Sequence, residues 1–393
     1  LGSVPEPWTT YKSIHAVPAG SIVRVNADGV CSVKSYFSLA ATWKGLEEIE
    51  SEKPEDAVSI RDALLDSVRH HMVSDVPVGA FLSAGIDSGS LVGLMSELNT
   101  GSRKLKTITL AFEEFQGTAS DEAQLAREIA EYYGTDHTTR YVSEGEFQQD
   151  LPDILEAMDQ PSIDGINTWF VSKAAAEQGL KVAISGLGGD ELFGGYPSFQ
   201  DIPRWNRNLA WAAGHRMLTS GYRKAYQAAS YVFSLPPKGS ELLALGHSKA
   251  GAWLLRRGLF MQQDLGGWLE PEFLEEGLIR LSLMEHVESK LNPQPDTDFG
   301  CIATLEASLY MRNQLLRDSD WASMAHSLEI RLPLVDVGLL KAIGNLTRHS
   351  NGKQLLAKAP RPELPQKFSA RKKTGFTTPI QKWLNGTAMK RNI

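Results

Sequence analysis

Two short stretches carry residue types that can do chemistry. The first is Ser83-Ala84-Gly85-Ile86-Asp87-Ser88, which follows the apolar run Val76-Pro77-Val78-Gly79-Ala80-Phe81-Leu82. A strand that ends in a turn of small residues and enters a helix aims successive backbone N–H groups into one concavity. The helix N-terminus behind them adds partial positive charge, so the turn suits phosphates. The Ser83 and Ser88 hydroxyls can donate further bonds, and Gly85 lets a ligand approach the backbone. The same residues also suit a plain turn with an Asp or Ser helix cap, and the loop alone does not decide between the two. The second stretch is Gly186-Leu187-Gly188-Gly189-Asp190-Glu191, again glycine-rich and again after a short apolar run, Leu180 to Ser185. No G-x-x-x-x-G-K-[ST] occurs, nor a G-x-G-x-x-G with a suitably placed acid, which argues against a P-loop NTPase or a dinucleotide dehydrogenase.

Both stretches need a scaffold. Strands are expected at 76–82, 107–112, 137–142 and 180–185, and helices at 53–72, 121–133 and 167–178, with a further helix starting at the Ser83–Ser90 stretch and running to about Leu98. Gly134 and Gly179 mark helix ends. Strands alternating with helices predict an α/β fold with a doubly wound parallel sheet, whose ligands bind at the carboxyl ends of the strands. Before this region, Ser21–Val25 and Val30–Tyr36 flank the turn Asn26-Ala27-Asp28-Gly29 and predict a hairpin. Two strands alone are marginal in water, so the hairpin is expected to pack on something else. Beyond Pro203 the strand signals fade; 204–233 and 302–326 are expected to be helical, making the C-terminal half mostly helical.

The 393 residues are 42% apolar and 22% charged, an ordinary globular composition. A net charge of −7 argues against nucleic acid as a partner, since phosphate backbones call for clustered Lys and Arg. No apolar run reaches the length needed to span a bilayer, so no membrane partner is expected. The two cysteines, Cys31 and Cys301, form no disulfide framework, which fits a reducing cytoplasm.

Four motifs in order now carry a resemblance. Leu82–Ser88 resembles the pyrophosphate loop of the N-type ATP pyrophosphatases. Ser185-Gly186-Leu187-Gly188-Gly189-Asp190-Glu191-Leu192-Phe193-Gly194-Gly195-Tyr196 is similar to the second signature of the asparagine synthetases. The stretch from Asp320-Trp321-Ala322-Ser323-Met324 through Arg331 to Asp336 resembles a third, and Lys372-Lys373-Thr374-Gly375-Phe376-Thr377-Thr378-Pro379 a fourth. The resemblance to the asparagine synthetase family implies an adenine nucleotide alpha-hydrolase-like synthetase domain over about 53–390, preceded at 1–45 by the tail of a class II glutamine amidotransferase domain.

It also implies an ATP-dependent, AMP-forming amide ligase. A carboxylate attacks the α-phosphate of Mg-ATP, and ammonia derived from glutamine then displaces AMP; with aspartate the intermediate is β-aspartyl-AMP. Ser83, Gly85, Asp87 and Ser88 match the pyrophosphate loop. Asp87 beside phosphates calls for a cation, and Mg²⁺ is the natural one. Phe81, Leu82 and Leu110 fall where the family's adenine pocket lies, and Ser185 and Gly186 match backbone bordering the nucleotide. Asp190, with Glu191, matches an acidic position near substrate or metal, although Asp190 also suits a helix cap. Lys373 matches a lysine that neutralises phosphate charge, although it also reads as one more solvated base. Arg331 and Asp336 either pair with each other or reach substrate. The partners implied are small molecules, and a homodimer is allowed for.

Three departures qualify this. The chain starts at Leu1, without the family's N-terminal nucleophilic cysteine, and the expectation is that an amidotransferase domain precedes it. Leu187 stands where glutamine-dependent members carry a glutamate base, and leucine cannot accept a proton. Ala84 and Trp321 replace a commoner glycine and a commoner basic residue. Asparagine synthesis is therefore the leading expectation. The alternatives are a relative acting on another carboxylate (a secondary metabolite, sugar or peptide) and a non-catalytic nucleotide-binding paralogue.

Overall fold

The computed structural model describes residues 1–48, 56–118, 121–162, 164–347, 352–371 and 378–386. The chain divides into two compact units. One joins Leu1–Glu50 to Gly194–Gln314, and the other joins Ser51–Phe193 to Leu315–Ile393.

The first unit is mostly helical. Its N-terminal segment forms the expected hairpin, β1 (Ser21–Val25) antiparallel to β2 (Cys31–Ser35), with Asn26 turning the chain by accepting from the Val30 amide at 2.7 Å. Glu47, at the end of helix Leu39–Glu47, accepts hydrogen bonds from the Thr297 amide and hydroxyl and so anchors this segment to the start of helix Asp298–Leu305. Trp253, Ile302, Leu305 and Val287 form the core. The helical expectation over 204–233 is met by two helices, Ser198–Leu209 and Arg216–Ser230. Gly214, at φ +79°, adopts a left-handed turn that breaks them apart. Pro203 lies inside the first helix rather than before it. The expected helix over 302–326 begins at Asp298 and widens to a π-helix over Glu306–Leu316 before resuming as Arg317–Met324.

The second unit is the predicted α/β layer structure. Five parallel strands run in the order β5-β4-β3-β6-β7, where β3 is Val78–Phe81, β4 Lys106–Phe112, β5 Asp136–Val142, β6 Val182–Ile184 and β7 Glu329–Arg331. The chain starts at the centre with β3, winds outward through β4 and β5, and then returns to the other side with β6. The point of reversal falls between β3 and β6, which pair in register Val78 to Val182 and Ala80 to Ile184. A doubly wound sheet opens its ligand crevice at that place. β7 was not foreseen; it is part of the third signature, and its Ile330 pairs with Ala183.

Helices cover the sheet on both faces. Ile60, Leu64, Val68, Leu91, Met95, Ile129, Ile343 and Leu356 form one apolar cluster. Ile108, Ala174, Ala175, Leu180, Ala183 and Leu328 form another, and Leu110, Phe112, Phe147, Trp169 and Trp383 a third. Helix Glu144–Ala157, with Pro152 inside it, adds Phe147 and Ile154 to the last cluster. Among the described residues, no helix is long and apolar enough to cross a membrane.

Candidate active site

Strand β3 ends at Phe81, and the chain closes the Ser83–Ser88 turn on itself. The Ser88 hydroxyl accepts from the Ser83 amide at 3.1 Å and lies 3.0 Å from the Ser83 hydroxyl. The Ser83 hydroxyl accepts from the Gly85 amide at 3.2 Å. Leu82 is buried, and its carbonyl accepts from the Thr109 hydroxyl of β4 at 2.6 Å, which fixes the entry to the turn. Gly85 is the N-cap of helix Ile86–Leu98 with no side-chain cap of its own, and Asp87 lies in the first helical turn. The loop is therefore both things its sequence allowed: a serine-braced turn, and a helix N-terminus with its amides uncapped by any side chain.

The second glycine-rich stretch follows β6 and presses against the first. A Cβ on Gly186 would lie 2.9 Å from the Ser88 nitrogen, and one on Gly189 would lie 2.6 Å from the Asp87 carboxylate. Gly188 sits at φ +93°, where a side chain would strain the backbone and meet Val335. These contacts explain the glycines. Neighbouring parallel strands end side by side, and only residues without side chains let the two turns meet. Ser185 extends the pairing of β6, donating its amide to the Arg331 carbonyl at 3.0 Å.

The close approach brings Asp87 and Asp190 to a common cation. Lys353, the second residue of helix Gly352–Ala357, places its ammonium 2.8 Å from Asp190 and in a still shorter contact with Asp87. The three side chains are only 13–20% exposed. Burial pulls the Lys353 ammonium toward its neutral form, but Asp87 and Asp190 outweigh it, so its pKa is raised and the lysine is a firm cation. The helix comes close enough for this because Gly352 lies against the Phe193 backbone, where a Cβ would be 3.0 Å from the carbonyl oxygen. Lys353 was missed in the sequence. No local pattern in the sequence marks it, because its partners lie more than 150 residues away.

The remaining expected residues are distributed as follows. Glu191 is buried beside Asp190 in the short helix Gly189–Phe193. Phe81 packs against the cluster around Ile108 and Ala175, and Leu110 is buried in the cluster around Phe112 and Trp169. Arg331 and Asp336 do not form the ion pair considered for them. Arg331 pairs with Glu329 at 2.8 Å and donates to the His71 and Val73 carbonyls, closing the end of helix Asp56–Met72. Asp336 accepts from the Gly338 and Leu339 amides and caps helix Val337–Thr347. Lys373 lies outside the described residues. Trp321 is buried, donates to the Asp318 carboxylate at 3.0 Å, and covers Gly165 so closely that a Cβ there would fall 2.2 Å from the indole.

Two facing carboxylates bridged by one ammonium suit a nucleotide that brings its own magnesium. Magnesium ordinarily takes one or two protein carboxylates and completes its shell with substrate phosphates and water. Among the described residues no group of three or more His, Cys, Asp or Glu could hold a metal by itself. Asp87 and Asp190 are of the type and number that a magnesium ion takes from a protein when phosphates and water complete its shell.

The family model described as asparagine synthase matches residues 59–393. The chain is 31% identical over 399 residues to asparagine synthetase [glutamine-hydrolyzing] 1 of Bacillus subtilis (strain 168), covering 97% of this chain and 58% of that protein. It is 28% identical to a putative asparagine synthetase [glutamine-hydrolyzing] of Mycobacterium tuberculosis (strain ATCC 25618 / H37Rv), covering 98% of this chain and 57% of that one. It is also 25% identical to amidase chyE of Penicillium rubens (strain ATCC 28089 / DSM 1075 / NRRL 1951 / Wisconsin 54-1255), covering 87% of this chain and 53% of that one. The chain therefore spans somewhat more than half the length of these relatives. With its four signatures in order and the first two meeting at the switch point of a parallel sheet, the chain belongs to the asparagine synthase family.

Proposed function

We propose that this chain is the synthetase part of an ATP-dependent, AMP-forming amide ligase, with asparagine synthesis from aspartate and glutamine-derived ammonia as its leading activity. The observation that carries this is the Asp87–Lys353–Asp190 bridge between the two glycine-rich turns. The amides at the start of helix Ile86–Leu98 and the Ser83 and Ser88 hydroxyls hold the phosphates that leave as pyrophosphate. Lys353, joined by Lys373, neutralises charge that builds on them. Asp87 and Asp190 would hold the magnesium of Mg-ATP, which would supply charge neutralisation at the phosphates. Ser185 and Gly186 border the nucleotide, with Phe81, Leu82 and Leu110 behind the adenine side. Glu191 orients the second turn. The packing of Arg331 and Asp336 supports structural roles for both. The match over residues 59–393 supports the synthetase domain placed at about 53–390; the segment 1–45 is proposed, from the resemblance of its sequence, as the end of a glutaminase-type domain.

A second reading has its own support. Leu187 puts no base beside the reacting centre, and amidase chyE is among the relatives. Both favour a ligase that amidates a carboxylate other than aspartate. The test is carboxylate-dependent pyrophosphate release from Mg-ATP with ammonia. Release with aspartate, matched by equal AMP and asparagine, supports the leading reading. Release with another acid alone supports the second. No release with any acid from the folded protein refutes both and leaves a nucleotide-binding paralogue.

A further inference from the structure

The helical unit holds an imbalance of buried charge that the reaction does not use. Helix Leu283–Ser289 contributes His286 and, at its C-cap, Lys290. Arg312 comes from the π-helical stretch Glu306–Leu316. The N-terminal segment contributes Glu6, which pairs with Arg312 at 3.2 Å, and Trp8, whose ring lies 5.4 Å from that of His286. His286 is 8% exposed, and its Nε2 has no hydrogen-bond partner. Among the described residues Lys290 has no carboxylate within ion-pair distance.

The three basic groups disturb one another. Burial pushes His286 down to about 4, with Lys290 and Arg312 adding to it. Burial also lowers Lys290, assisted by Arg312 and opposed by Glu6. Burial lowers even Arg312, with Glu6 alone opposing. One carboxylate, Glu6, thus serves two cations, and buried cations are costly without counter-charge.

We propose that His286, Lys290 and Arg312 form a binding site for a small oxyanion. Arg312 offers the N–H groups that Glu6 leaves over, in the fork geometry that grips paired oxygens. Lys290 adds a point charge, and His286 becomes a donor once an anion beside it favours protonation. Two cations and a protonable ring fit a doubly charged oxyanion, such as a phosphoryl group, better than a single carboxylate. No residue of this site belongs to the Ser83–Ser88 loop, so the proposal stands independently of the ligase reading.

Inorganic phosphate is the probe, titrated into the full chain at neutral pH and constant ionic strength, with acetate and succinate in parallel. The readout is the Trp8 indole N–H resonance, identified by its loss in Trp8→Phe, together with the titration of the His286 ring. Phosphate should shift Trp8 saturably and raise the His286 pKa by about one unit or more. Lys290→Gln and Arg312→Gln should each weaken binding by about tenfold or more, and Glu6→Gln should tighten it. Lys290→Gln keeps the test alive if Arg312→Gln fails to fold. Phosphate can also occupy the nucleotide loop, so the Trp8 response must persist in Ser88→Ala. An unchanged Trp8 signal, an unaltered curve in Lys290→Gln, or loss of the response in Ser88→Ala overturns the proposal. A response to succinate that exceeds the response to phosphate makes the ligand a dicarboxylate.

Discussion

Replacing Lys353 with methionine keeps most of the side chain's apolar stem and removes its charge, so the ammonium between Asp87 and Asp190 is lost. Removing one partner from a buried ion pair costs about 3–5 kcal/mol. The three side chains retain 13–20% exposure, which places this case near the low end, at about 3 kcal/mol. For a unit of this size that corresponds to a fall in Tm of about 6–12 °C. The pH dependence has a definite sign. Burial lowers the Lys353 pKa, Asp87 and Asp190 raise it by more, and the net shift is upward from 10.5. Its stabilisation is therefore complete below 10.5 and lost only as pH rises through the higher folded value. In the variant the deficit should shrink as pH falls into the carboxylate range, because protonating either acid removes the repulsion.

Thermal unfolding at neutral pH and near pH ~4.5, where carboxylates begin to protonate, reads the first effect. Added magnesium should stabilise the variant more than the parent, since loss of the Lys353 ammonium leaves more negative charge for a divalent cation. Pyrophosphate release should fall by about 10²–10³-fold, the usual consequence of losing one charge-stabilising group at a reacting centre. A variant within about 0.5 kcal/mol of the parent at neutral pH, with pyrophosphate release unchanged, would refute the bridge as both a structural and a catalytic element.

Three further outcomes are expected. Gly189→Ala drives a methyl against the Asp87 carboxylate, so pyrophosphate release should fall by about 10²-fold while unfolding shows a loss of only about 1–3 kcal/mol; normal turnover would show that the turns can part without consequence. Arg331→Ala removes the clamp on the His71 and Val73 carbonyls and should cost about 1.5–3 kcal/mol with the carboxylate KM unchanged, whereas a raised KM at unchanged Tm would return Arg331 to the substrate pocket. Burial raises the Asp318 carboxyl above 3.8, despite hydrogen bonds from Ser162 and Trp321. A raised acid contributes stability at low pH that is lost as pH climbs through its folded value, so Asp318→Asn should melt higher than the parent at neutral pH and converge with it in acid; a lower melting point at neutral pH would contradict this.

Much of this architecture was legible because its signals are local. Val78–Phe81 and Lys106–Phe112 read as strands because each is a compact apolar or β-branched run, and Asp136–Val142 because it follows a helix stopped by Gly134. β7 escaped notice because Glu329-Ile330-Arg331 has one apolar residue in three and becomes a strand only through its neighbour β6. Helix Glu144–Ala157 was hidden by Pro152, which reads as a breaker, yet Phe147 and Ile154 still reach the core. The candidate site divides in the same way. Ser83, Asp87, Gly186 and Asp190 stand in stretches whose glycine spacing announces a turn, and the turns lie where a doubly wound sheet must place them. Lys353 lies in a stretch with no such spacing, more than 150 residues beyond Asp190. Only the fold shows that two acids on adjacent turns share one cation. Pairs of charges distant in sequence are therefore the part of a site that a motif cannot announce. Two carboxylates brought together by glycine turns are themselves a reason to look for a lysine elsewhere in the chain, since their burial without one is too costly to persist.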